Sequence, residues 1–145
     1  MEQTKKPAWV AELKQFEKPS TWRAVWQLAN TLIPFAGFVA LMYLSVQAGY
    51  SPLVTILLAI PAAGFMVRIF VLFHDCSHGS FFPNQKANRI VGHILGILAF
   101  TPYGSWQHGH SVHHSTSGNL DRRTIGEVWT LTAGEFVEAP WIKRV

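Results

Sequence analysis

Polar and apolar positions divide the chain into regions of different character. In residues 1–23 charged residues alternate with apolar ones, and Trp9, Val10, Leu13 and Phe16 fall on one face of a helix; this pattern predicts an amphipathic helix at a surface or a membrane interface. An apolar run follows from Ala29 to Val46, and a second from Leu53 to Phe73. Crossing a hydrocarbon core of about 30 Å takes about 20 apolar residues in a helix. The second run meets that length and the first approaches it. Pro34 and Pro61 are tolerable there, because neighbouring groups re-satisfy the freed carbonyls. Between the runs, Gln47 to Pro52 is short, uncharged and rich in turn residues. The pattern therefore predicts a transmembrane helical hairpin. A third run, Ile90 to Phe100, is too short to span and predicts an in-plane or re-entrant helix. Residues 105–145 are polar, with a more helical end. The organisation expected is an N-terminal segment over residues 1–28, a hairpin over 29–73 and a histidine-bearing region over 74–145.

Charge sharpens this picture. No Asp, Glu, Lys or Arg occurs from Ala24 through Val67, and only Arg68, Asp75, Lys86 and Arg89 occur from there to Asn119. Charged residues make up 14% of the chain, against about 25% in ordinary soluble domains. Lys5, Lys6, Lys14, Lys18 and Arg23 precede the hairpin, Lys86 and Arg89 follow it, and its connecting turn has no basic residue. The positive-inside rule then puts both ends of the hairpin in the cytoplasm. Arg68 can snorkel to the inner interface. The early charges and the late start of the apolar run argue against a signal peptide. No basic patch with interleaved aromatics points to nucleic acid.

All seven histidines lie between positions 74 and 114. His74 and His78 form an H-x3-H pair, and His110, His113 and His114 form an H-x2-H-H triple. Residues three or four apart share a helix face, so each set can converge. Imidazole suits zinc, copper, iron and nickel, and five such ligands exceed one structural zinc site. The single cysteine, Cys76, excludes an internal disulfide and a cysteine-based cluster, and is expected to be a small buried residue. His93 and His108 lie off these spacings and are read as packing or interfacial residues. The pattern leaves the metal open: iron suits oxygen chemistry, and zinc remains possible.

The run His74-Asp75-Cys76-Ser77-His78-Gly79-Ser80-Phe81-Phe82 resembles the first histidine box of the integral-membrane fatty acid desaturases. Trp106 through His114, continuing through Ser115-Thr116-Ser117-Gly118-Asn119-Leu120-Asp121-Arg122-Arg123, resembles their second box and its downstream sequence. The likeness is greatest to bacterial acyl-lipid enzymes of the Δ12/ω-6 type. It implies four membrane helices, a cytosolic cap and three histidine boxes holding a non-haem di-iron centre, with His74, His78, His110, His113 and His114 as ligands here. It also implies O2-dependent introduction of a cis double bond into a fatty acyl lipid or thioester. The electrons would come from a donor such as ferredoxin or cytochrome b5, because the chain has no Gly-rich dinucleotide motif. Asp75 and Asp121 are candidates for orienting imidazoles, and Trp106 and Trp129 for walling the site.

A third box and a second helix pair do not occur within these 145 residues. The fold expected is thus an all-α membrane protein with a transmembrane hairpin, an interfacial helix and the start of a cytosolic histidine-box cap, truncated before the second helix pair. Its expected location is the bacterial inner (plasma) membrane. Taken alone, 145 residues are expected to be inactive, and a truncated, inactive membrane hairpin is the alternative. A related hydroxylase is disfavoured by residues 115–123. A membrane zinc peptidase is disfavoured because its H-E-x-x-H motif has Asp75 in place of the glutamate base.

Overall fold

The computed structural model describes residues 8–13, 17–120 and 130–144. Among them the elements are helices: α1 (Ala8–Leu13), α2 (Thr21–Gln47), α3 (Pro52–Ser77), α4 (Gln85–Leu98), α5 (Tyr103–Thr116), α6 (Ala133–Glu138) and a 3-10 turn (Trp141–Lys143). The chain divides into two compact units, Met1–Tyr103 and Gly104–Val145.

The first unit is built on the α2–α3 hairpin. At 1.5 Å per residue, the 27 residues of α2 and 26 of α3 outreach a hydrocarbon core of about 30 Å. Helix α2 begins at Thr21, ahead of the apolar run, because Trp22, Val25 and Trp26 continue the pattern outward at the level where aromatic belts sit. The reversal uses Gly49 at φ +69°, a left-handed conformation that glycine adopts at no steric cost. Pro52 then opens α3 at a position where its missing N–H costs nothing.

Polar contacts join the two helices at both levels. Near the turn, the Ser45 and Thr55 hydroxyls are 2.8 Å apart. Far from it, Arg68 donates to Asn30 Oδ1 at 2.6 Å. Between these levels Phe38 and Phe65 stack at 5.9 Å. Outward the hairpin is apolar: Ile33, Ile60 and Val67 are 71%, 65% and 64% exposed. Apolar exposure of this extent is ruinous in water and suits lipid. The protein is an all-α membrane protein.

Helix α4 spans 14 residues, about 21 Å at 1.5 Å per residue, and cannot cross a bilayer. It starts five residues before the apolar run because Asn84 caps it, its Oδ1 accepting from the N–H groups of Lys86 and Ala87. The α4 face carrying Asn88, Gly92, Leu95 and Gly96 is buried, while Ile90, Ile94 and Ile97 point outward. At Gly96 a Cβ would come within 2.6 Å of the Thr101 carbonyl oxygen and 3.1 Å of the Phe73 ring. Glycine therefore lets α4 close on α3. The core here is Ile69, Leu72, Phe73, Cys76, Leu95 and Tyr103.

In the second unit α5 continues to Thr116. Helix α6 opens with a reciprocal cap between Thr132 and Glu135. The Arg144 guanidinium donates to the carbonyls of Ala139 and Val137.

Candidate metal centre

Helix α3 does not stop at the end of its apolar run. It continues through Ser77, with His78 as its C-cap, so His74 and His78 lie on one face of its last turn. Their Nε2 atoms are 3.2 Å apart. For nitrogens bound at about 2.1 Å, that separation corresponds to an N–metal–N angle of about 100°, so the pair fits two adjacent ligands of one ion. Asp75 Oδ1 lies 3.3 Å from His74 Nδ1. A carboxylate only accepts, so Nδ1 is the donor in this contact; in the neutral imidazole that tautomer leaves the Nε2 lone pair for a metal, the arrangement in which carboxylates orient metal-binding histidines.

Several contacts hold this turn in place. The Ser77 hydroxyl donates to the His74 carbonyl at 2.6 Å. Tyr103 donates its hydroxyl proton to the Cys76 carbonyl at 3.1 Å, between the two histidines. Burial raises the Tyr103 hydroxyl above its ordinary range, so it keeps the proton that it donates. Its ring meets Phe73 edge-on at 5.9 Å and lies 4.6 Å from His93. A Cβ at Gly92 would come within 2.2 Å of that ring; glycine makes room for the tyrosine. His93 donates from Nδ1 to the Arg89 carbonyl at 2.7 Å, in keeping with a packing role. After the pair, Gly79 turns the chain at φ +69°, and Gln85 donates to its carbonyl. Asn88, 1% exposed, pairs with both backbone groups of Phe82. Cys76 is fully buried, as expected of a small packing residue.

The other histidines lie on α5. His110 and His114 share a face, with Nε2 atoms 3.0 Å apart, an N–metal–N angle of about 90° at the same bond length. Trp106 stacks on His110 at 4.3 Å, which makes it a platform for that imidazole. The His113 ring lies 5.9 Å from that of His110 and 5.8 Å from that of His114. Asp121 and Trp129 lie outside the described residues.

Two helix turns thus each carry an imidazole pair spaced for one ion, and sequence comparison places both in a known frame. The sequence profile of the family described as fatty acid desaturase matches residues 48–132, which include both pairs. The chain belongs to the fatty acid desaturase family. A fatty acid desaturase of Bacillus subtilis is 47% identical over 128 residues, covering 88% of this chain and 36% of that protein. A chloroplastic sn-2 acyl-lipid omega-3 desaturase (ferredoxin) of Helianthus annuus is 42% identical over 77 residues, 52% of this chain and 17% of its own length. An endoplasmic-reticulum omega-3 fatty acid desaturase of Vigna radiata is 46% identical over 63 residues, 43% of this chain and 17% of its own length. The chain spans about a third of the Bacillus relative and less of the other two. No solved structure matches it.

Sequence reasoning missed Tyr103 and Asn88. The one available sign was a polar side chain on the buried stripe of α4, where Asn88 is four residues from Gly92 and seven from Leu95. For Tyr103 no local pattern exists, since its partner is 27 positions away.

Proposed function

We propose that this chain carries part of the iron-binding and acyl-binding machinery of an O2-dependent fatty acid desaturase. One observation carries the reading: within each unit two imidazoles present Nε2 atoms at ligand spacing, 3.2 Å for His74 and His78 and 3.0 Å for His110 and His114. An all-imidazole set suits iron in oxygen chemistry. His74, His78, His110, His113 and His114 would hold their share of a two-iron centre. When bound, iron supplies the oxidising power by which one O2, two electrons and two protons convert two adjacent methylenes into a cis double bond, with two waters released.

The metal is needed because those C–H bonds are not acidic enough for a side-chain base. The protein's part is placement and dryness. Asp75, accepting from His74 Nδ1, would hold that imidazole with Nε2 available to a bound ion. Trp106 fixes the plane of His110. An apolar groove of about 650 Å³, lined by Leu32, Phe35, Val39, Tyr43 and Leu98 among others, offers a methylene chain a surface that excludes water. The two electrons come from an external donor of the ferredoxin or cytochrome b5 kind. Lys and Arg flank the hairpin on the side of the histidines, which supports a cytoplasmic site at the bacterial inner membrane.

The test expresses the full reading frame in a host lacking the product and reads both cellular fatty acids and bound metal. The reading expects a new cis double bond and two irons per protein, both lost in His74→Ala and His110→Ala. An unchanged fatty acid profile, with zinc rather than iron bound to the purified protein, would overturn it.

A further inference from the structure

Among the described residues, the hairpin holds a cation that no carboxylate balances. Arg68 lies inside α3, five residues before Phe73, and its side chain is exposed. Its hydrogen-bond partner is neutral: Asn30 Oδ1, at 2.6 Å. Among the described residues no carboxylate pairs with it, and none occurs between Glu17 and Asp75, where Asp75 is engaged with His74. A charge on an apolar span is costly unless something pairs with it.

The surroundings point to what pairs with it. Arg23, Gln27 and Asn30 sit at i, i+4 and i+7 of α2, so they line one face. This polar line runs from the start of α2 to Arg68, and Arg23 adds a second exposed guanidinium. Trp22 and Trp26, 74% and 59% exposed, mark the headgroup level beside it. Five residues of helix put the Arg68 Cα about 7.5 Å inside Phe73, a depth that an arginine stem spans by snorkelling. The guanidinium spends one N–H on Asn30 and has others in its planar fork, a geometry matched to phosphate oxygens.

We infer that Arg68, steadied by Asn30 and joined by Arg23, binds the phosphodiester of an anionic phospholipid in the leaflet on the His74 side of the hairpin. The site is separate from the histidines, and the inference stands on the membrane hairpin rather than on the desaturase reading.

The experiment purifies the full-reading-frame protein in mild detergent and titrates it with phosphatidylglycerol or phosphatidylcholine of identical acyl chains, counting bound lipid by native mass spectrometry. The parent should retain phosphatidylglycerol preferentially. Arg68→Gln should cut that preference roughly fivefold, the attraction one basic residue has for anionic lipid. Arg68→Lys should keep part of it, because the charge stays and the fork is lost. Asn30→Leu, which leaves the charge but removes its clamp, should fall between parent and Arg68→Gln. Arg144→Gln should match the parent. Circular dichroism checks that each variant retains its helices, and Asn30→Leu and Arg68→Lys give two further readings if Arg68→Gln does not fold. Equal phosphatidylglycerol retention in the parent and in the Arg68 variants would overturn the inference. So would full displacement by inorganic phosphate, which would make the site one for free anion.

Discussion

The His74–His78 pair and the His110–His114 pair have nearly the same internal geometry and sit on helix turns of different burial. The first sits on the last turn of a 26-residue helix beside Ile69, Leu72, Phe73 and Cys76, all 3% exposed or less. Its carbonyls are tied by Ser77 and Tyr103, and one of its imidazoles by Asp75. The second sits on a 14-residue helix whose buried residue is Tyr103 at its start, with Trp106 stacked on His110. Spacing at i and i+4 is enough to bring two imidazoles together. Packing adds rigidity to such a pair, and among the described residues the turn that carries the first pair is the more deeply buried. On the iron-binding reading proposed above, the first pair would be the better preformed of the two and the second would lean more on the ion.

The strongest way to break this comparison is to remove one ligand from each pair. His74→Ala and His110→Ala should each cost more iron affinity than the roughly 10–100-fold that follows loss of an orienting partner. His110→Ala should also lower the helicity of α5 in the iron-loaded protein, and His74→Ala should leave α3 intact. Equal structural losses at both sites, read by hydrogen exchange, would remove the distinction.

Asp75→Asn tests the first pair more gently. It keeps the size of the side chain and removes the acceptor charge beside His74 Nδ1. The expected cost is roughly 10–100-fold in iron affinity, measured by competition with a chelator, with helicity unchanged. No loss would mean that Asp75 is a bystander.

The smallest effects come from glycine. At Gly92 a Cβ would strike the Tyr103 ring, whereas at Gly109 on α5 nothing lies within 4 Å. Gly92→Ala should destabilise by about 1–3 kcal/mol through overpacking. Gly109→Ala should be neutral or stabilise by up to about 1 kcal/mol, since alanine favours a helix. Thermal unfolding of the two variants gives the signs directly. A penalty at Gly109 would show that α5 is packed as tightly as the end of α3.

Much of this architecture was legible in the chain. The two spans, the turn between Gln47 and Pro52, the short third helix and the shared faces of the histidine pair and triple follow from apolar run length, turn residues and i, i+3 or i, i+4 spacing, which are local properties. Helix ends were less legible. Thr21 and Gln85 start their helices outside the apolar runs, because belt tryptophans extend one and the Asn84 cap sets the other. Arg68 was expected to snorkel to the interface, and its bond to Asn30, which joins residues 38 positions apart, was not legible.

The sequence by itself therefore determined that this is a helical membrane protein with histidines grouped on shared helix faces, because hydrophobicity and helical period act between near neighbours. The tertiary structure alone decided how one pair is held: Tyr103 against Cys76, glycine where the ring passes, Asn88 on the Phe82 backbone. Those contacts join groups that are far apart in the chain and adjacent only once α4 has packed on α3, which no periodicity encodes.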